Sequence, residues 1–147
     1  MPTDSATKTV RIKAPPLGTV LATIRDLESQ TEWIPEILAA EVLEVEETTG
    51  LPPHTARFKA SATVGTDSYV LTYRHRDDGM SWTMLEGRMQ TGAGSDYQLE
   101  SVGPDATSVT YRLTIHHNLP LPGFLRSRVI KGLVDSTLTG LTKRLES

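Results

Sequence analysis

Polar and apolar residues alternate along most of this chain, as they do in β-strands that have one buried face. The first such stretch covers residues 7–14, where Val10, Ile12 and Ala14 alternate with polar neighbours. Further strand-like stretches, separated only by turn residues, predict strands at 37–47, 54–64, 68–76, 80–87, 89–101 and 106–117. The pattern therefore predicts a sheet of about seven strands joined mainly by hairpins.

The predicted strands sort their apolar and polar residues onto opposite faces. The apolar face carries Phe58, Ala60, Ala62, Val64, Tyr69, Leu71, Tyr73, Trp82, Met84, Tyr97, Leu99, Val109, Tyr111, Leu113 and Ile115. The other face carries mostly threonine, arginine, lysine, glutamine and glutamate. A sheet of this kind meets water on one side and needs a cover on the other.

Helical spacing predicts that cover in the last segment of the chain. Over 122–146 the apolar residues recur at intervals of three and four: Ile130, Leu133, Val134, Thr137, Leu138, Leu141 and Leu145 form one stripe. We therefore expect one long helix on the apolar face of the sheet. The fold class predicted is α+β, with a curved antiparallel sheet around a C-terminal helix.

Two short helices are predicted between the first strand and the second. Apolar residues at helical spacing indicate the first over about 16–28. Ser29 and Glu32 stand three residues apart, as in a capping box, and predict a second helical turn around 31–34 that ends before Pro35.

Composition narrows the classes of partner and location. A length of 147 residues suits a single domain spanning 1–147, and a net charge of −3 at pH 7 argues against nucleic acid. No cysteine is present, so disulfides and thiolate sites are excluded. The polar N-terminal residues and the lack of a long apolar run predict a cytoplasmic protein without stable membrane insertion.

Several local strings resemble the START-like (helix-grip, SRPBCC) superfamily, and within it the bacterial polyketide cyclase/dehydrase and coenzyme Q-binding branch. The strings are IKAP at 12–15, TEWIPEI at 31–37, VLEV at 42–45, SYVLTY at 68–73, SWTMLEG at 81–87, VTYRL at 109–113 and LPLPGFL at 119–125. The resemblance implies a cavity for a lipid, polyketide, plant hormone or quinone, but it does not imply one reaction.

Small residues on the apolar face favour a hollow between sheet and helix. Ala60, Ala62, Gly92 and Gly94 leave volume that larger neighbours would have to fill. The alternative is that side chains of the helix fill it completely. If the hollow exists, we expect the ligand-binding residues to be Phe58, Leu71, Tyr73, Trp82, Met84, Tyr97, Tyr111, Leu113, Leu133 and Thr137.

The same alternation gives candidates for proton transfer. His75, Glu86 and His117 fall on the apolar face toward the ends of their strands, where they would cluster as acid and base groups; alternatively they are rim residues that reach solvent. His116 and His117 are adjacent and point to opposite faces, so no metal site is predicted. No motif indicates a cofactor or a serine nucleophile.

Two apolar loops, 48–53 and 119–125, are candidate lids. For the second, the favoured interpretation is that Leu121, Phe124 and Leu125 pin the start of the long helix onto the sheet. The leading functional hypothesis is a protein that binds or transports a small hydrophobic molecule, with a homodimer left open. The alternatives are a polyketide cyclase or dehydratase, and an interaction module with a vestigial pocket.

Overall fold

Seven antiparallel strands form one sheet in the computed structural model, which describes residues 3–13, 16–44, 55–62, 65–87, 90–103, 106–117 and 122–146. The strands are β1 (Thr3–Lys13), β2 (Ile37–Glu44), β3 (Thr55–Ala62), β4 (Gly65–Arg76), β5 (Gly79–Gly87), β6 (Gln90–Ser101) and β7 (Ala106–His117). The helices are α1 (Leu17–Arg25), a 3₁₀ helix (Leu27–Glu32) and α2 (Gly123–Glu146). The predicted α+β architecture is confirmed.

The sheet order is β1-β7-β6-β5-β4-β3-β2, so each strand from β2 to β7 lies beside its neighbour in sequence. The first strand pairs with the last, from Thr3 opposite His116 to Lys13 opposite Ala106. β1 begins at Thr3, earlier than its apolar alternation predicts, because backbone pairing with β7 continues past the residues that carry the pattern.

Burial confirms which face of the sheet meets the helix. Phe58 and Tyr97 are buried, whereas Arg57, Lys59 and Gln98 on the other face are exposed. The alternation is interrupted in β5, where Val70 lies opposite Glu86 and Leu71 lies opposite Met84. Leu85 is the extra residue of this β-bulge, and 62% of it is exposed.

The prediction of a capping box at Ser29 and Glu32 is wrong. The 3₁₀ helix begins at Leu27, whose side chain is buried in the core, and Ser29 lies inside the helix. The Ser29 hydroxyl donates a 2.7 Å hydrogen bond back to the Asp26 carboxylate and so does not cap a later turn. Because burial of Leu27 in the core is favourable, the helical turn begins at Leu27, earlier than the spacing of Ser29 and Glu32 predicts.

α2 lies against the concave face and is joined to the edge strand β1. Its buried stripe consists of Ile130, Val134, Thr137, Leu138 and Leu141. Polar contacts hold it along β1: Lys8 pairs with Asp135, and the Lys13 backbone N–H donates to Glu146 Oε2 over 2.9 Å. These contacts fix the helix at the β1 side of the sheet.

No helix among the described residues is long and apolar enough to cross a membrane.

Candidate functional site

A cavity of about 510 Å³ lies between the concave face of the sheet and α2. All ten residues that the sequence predicts as ligand-binding lie on its wall: Phe58, Leu71, Tyr73, Trp82, Met84, Tyr97, Tyr111, Leu113, Leu133 and Thr137. The volume falls within the roughly 300–1,000 Å³ that is usual for small-molecule sites. The structure therefore brings together residues that are up to about eighty positions apart in the chain.

Cross-strand pairing explains why these residues meet. Tyr73 in β4 lies opposite Trp82 in β5, and Tyr97 in β6 lies opposite Tyr111 in β7. Side chains of directly opposed residues point to the same face of a sheet. The inward aromatic residues of neighbouring strands therefore lie side by side across the concave face.

Ring contacts pack the aromatic side chains against one another. The centroids of Tyr97 and Tyr111 are 4.5 Å apart, and those of Phe58 and Tyr69 are 5.8 Å apart. Phe58 also lies 6.5 Å from Tyr73. These separations are in the favourable range for aromatic pairs, so the rings support each other and form a preshaped wall.

The phenols of this wall stay protonated at neutral pH. Burial raises the pKa of Tyr73 and Tyr97 well above the usual value, and it also raises that of Tyr69. For Tyr111, burial raises the pKa to about 12, although hydrogen bonding with Ser95, Tyr97 and Trp82 acts in the opposite direction. Each phenol is therefore a neutral hydrogen-bonding group.

Some wall residues come from the 3₁₀ helix, the turn after it and the start of β2, and they were not predicted from the sequence. Gln30 is buried, donates to the Ile24 carbonyl over 3.3 Å, and hydrogen-bonds with the Tyr73 side chain. Ile34 and Ile37 complete this part of the wall. The signal in the sequence was the three-residue spacing of Leu27 and Gln30, which places them on one face of a 3₁₀ helix but is too short to show an amphipathic period.

Charged residues line the cavity at the end of the sheet where β1 and β4 begin. Arg126 Nε contacts Asp4 Oδ2 at 3.1 Å, and both side chains are largely buried. Glu36 accepts a 3.0 Å hydrogen bond from Ser136, and Asp67 is 2% exposed. This end of the cavity is thus polar, whereas the middle is aromatic and aliphatic.

The expected cluster of acid and base groups does not form around His75. This residue ends β4 opposite Met80, outside the cavity wall, and its ring stacks on Tyr73 at 6.3 Å. Glu86 and His117 belong to strand ends at the other end of the sheet, because successive antiparallel strands reverse direction. The side chains of Glu86 and His117 lie outside the described residues.

The start of α2 differs from expectation. Phe124 is 69% exposed, so the interpretation that it pins the helix onto the sheet is wrong; it lies in the first turn, before the buried stripe begins at Ile130. Leu125 is half-buried. The loop at 48–53 and Leu121 lie outside the described residues. Among the residues that the structure describes, no three carboxylate or histidine side chains are grouped to hold a metal ion.

A curved seven-stranded sheet that holds a long C-terminal helix over a cavity is the helix-grip fold. The chain belongs to the family described as polyketide cyclase / dehydrase and lipid transport, whose model matches residues 3–146. No curated protein matches the sequence.

Solved structures with the same fold cover almost the whole chain. A START superfamily protein from Mycobacterium smegmatis is 20% identical, with a TM-score of 0.87 and 97% of each chain covered. The ZhuI aromatase/cyclase from Streptomyces sp. R1128 is 11% identical, with a TM-score of 0.83 and coverage of 98% and 94%. A STAR-related lipid transfer protein from Xanthomonas axonopodis is 19% identical, with a TM-score of 0.70 and coverage of 97% and 86%.

Proposed function

We propose that this protein binds, and in its biological setting transports, a small hydrophobic molecule in the cavity between the sheet and α2. The observation that carries the proposal is the cavity of about 510 Å³, whose wall is formed mainly by apolar and aromatic side chains from the sheet and α2. The family's description, which includes lipid transport, is consistent with this role.

Apolar burial would supply most of the affinity. At about 0.3 kcal/mol per non-hydrogen atom, a ligand of about 25 such atoms would gain roughly 7 kcal/mol, which corresponds to a Kd in the micromolar range. An affinity of that size is suited to a carrier that must also release its cargo.

A cavity-filling substitution with a matched control tests the proposal. Leu133 lines the cavity from α2, whereas Leu85 is exposed on the bulge of β5. Leu133→Trp should weaken binding of the hydrocarbon fluorophore diphenylhexatriene at least about tenfold, because the larger ring occupies the ligand's space. Leu85→Trp should leave binding unchanged.

Fluorescence titration of both variants and the original protein measures this effect. If the original protein does not bind diphenylhexatriene or any other apolar probe, the proposed function is wrong. If both tryptophan variants bind the probe equally well, binding occurs outside this cavity, and the proposed site is wrong.

A second candidate is a cyclase or dehydratase acting on a poly-keto substrate. The family description and the similarity of fold to an aromatase/cyclase favour it. In this case the cavity would fold the substrate, and His75, Glu86 or His117 would be the acid and base groups. The test is turnover of a model poly-keto thioester by alanine variants of His75, Glu86 and His117. If the rate is unchanged, these residues are not the acid and base groups.

A further inference from the structure

The cavity reaches the surface along one side of α2. Val129 and Gly132 both line the cavity, yet Val129 is 38% exposed and Gly132 is also exposed. Residues that line an internal cavity and also contact solvent mark the place where the cavity opens. Helical spacing places both of them on the same side of α2 as Ser136, which contacts Glu36 in the turn at 33–36. The opening therefore lies between α2 and this turn.

A second space, which we call the outer groove, lies on the far side of the turn. It has a volume of about 630 Å³ and runs between the turn and the outward side of α2. Trp33 and Pro35 line the outer groove, whereas Ile34 and Glu36 line the cavity, so the turn separates the two spaces. Among the residues that the structure describes, only Gly132 lines both. The cavity and the outer groove therefore meet at Gly132.

The gap between α2 and the turn widens toward the start of the helix. At Gly140 the helix lies so close to the Trp33 carbonyl that a Cβ would overlap it. One helical turn earlier, the Ser136 hydroxyl donates a 3.0 Å hydrogen bond to Glu36 Oε1, so two side chains span the gap. One turn earlier again, a Cβ at Gly132 would meet nothing within 4 Å. The gap is thus closed at Gly140 and open at Gly132.

Packing does not account for the glycine at position 132. Glycine is less favourable than alanine inside a helix, because its backbone loses more conformational freedom on folding. At Gly140 the close approach of Trp33 explains why a side chain is absent, but at Gly132 there is room for one. A residue that breaks a local preference without a structural compensation is expected at a functional position. The place of Gly132 between the two spaces suggests that it keeps the opening clear.

We propose that the opening between α2 and the turn is the portal through which the ligand enters and leaves the cavity, and that the missing side chain of Gly132 sets its width. This inference rests on the proposed function and deepens it by naming the route of exchange and the residue that controls its rate. The outer groove leads to the portal from solvent, and the hydrogen bond between Ser136 and Glu36 limits the portal on the side of Gly140.

A portal residue affects binding kinetics differently from a residue of the binding space. The ligand passes a portal residue in transit, so a larger side chain there raises the barriers to entry and to exit by the same amount. Both rate constants then fall together, and their ratio, the Kd, changes little. Leu133→Trp, by contrast, fills the binding space and raises the Kd. Measurement of both rate constants therefore separates the two kinds of residue.

Stopped-flow fluorescence of diphenylhexatriene at several protein concentrations gives the association and dissociation rate constants. Gly132→Leu should lower both at least about fivefold, with a Kd within about twofold of the original. Gly132→Ala should lower both by a smaller factor, and it provides the test if the leucine variant does not fold. Gly18→Leu is the matched control, because Gly18 is an exposed glycine of α1 with nothing within 4 Å of an added Cβ and lies outside the cavity wall. It should leave both rate constants unchanged.

The outcomes separate the portal from the proposed function on which it rests. Failure of diphenylhexatriene to bind the original protein overturns both. Normal binding with unchanged rate constants in Gly132→Leu overturns the portal alone, because the ligand then enters elsewhere and the role of the cavity stands. A higher Kd caused only by faster dissociation also overturns the portal, since the leucine would then occupy the binding space. Equal slowing in Gly18→Leu overturns it as well, because the effect would not depend on position 132.

Discussion

Two leucine side chains on α2 have different surroundings. Their truncation to alanine should therefore reduce the free energy of unfolding by different amounts. Leu138 is fully buried in the core, whereas Leu133 is partly buried and lines the cavity. Leu138→Ala removes side-chain atoms that are packed on every side, and the reduction in the free energy of unfolding should be about 3–4 kcal/mol.

Leu133→Ala should reduce the free energy of unfolding by only about 1–1.5 kcal/mol, because part of its surface already faces empty space and forms no packing contacts. Both changes occur on the same helix with the same pair of residue types, so helix propensity cancels in the comparison. The expected difference between the variants is therefore about 2 kcal/mol.

Urea unfolding followed by far-UV circular dichroism measures both variants under identical conditions. The slope with denaturant should be the same for each, so that the shift of the midpoint reports stability directly. If the two variants lose equal stability to within about 0.5 kcal/mol, the space beside Leu133 is filled in solution, and the reasoning from the cavity is refuted.

Two further predictions concern stability. A Cβ at Gly140 would overlap the Trp33 carbonyl oxygen, so Gly140→Ala should destabilise the protein by about 1–3 kcal/mol. A Cβ at Gly132 would meet nothing within 4 Å, so Gly132→Ala should raise stability by up to about 1 kcal/mol. Thermal unfolding of both variants measures the difference. Equal shifts of the unfolding midpoint would contradict the close approach of α2 to Trp33. Burial raises the pKa of Tyr73, Tyr97 and Tyr111, the last to about 12, so their contribution to stability should be complete below about pH 10 and lost as pH rises through about 12. Unfolding midpoints that stay constant from about pH 9 to about pH 12 would show that these phenols ionise freely in the folded protein.

Much of the site was predictable because the sheet repeats a simple rule. Inward residues of a strand alternate, and hairpins place neighbouring strands side by side, so Tyr73, Trp82 and Tyr111 could be assigned to one face. The stripe of α2 added Leu133 and Thr137 in the same way. The two-residue alternation of the strands and the helical spacing of α2 were therefore enough to predict that these residues face one another.

Residues outside regular periodic elements were not predictable by that rule. Gln30 reaches the cavity from a six-residue 3₁₀ helix, which is too short to show an amphipathic period. His75 was placed with Glu86 because alternation gives the face of a residue but not the end of the sheet at which it lies. Phe124 is apolar, yet its exposure depends on where α2 begins relative to the sheet.

The pairing of the first strand with the last has a consequence for synthesis. The Thr3 hydroxyl bonds His116, 113 residues later in the chain. At ribosomal rates of about 5–20 residues per second, roughly 6–23 seconds pass between the synthesis of Thr3 and that of His116. Pairing between such distant segments also slows folding in general. During translation β1 is therefore an unpaired strand available to chaperones, and the domain can close only when nearly all of it has left the ribosome.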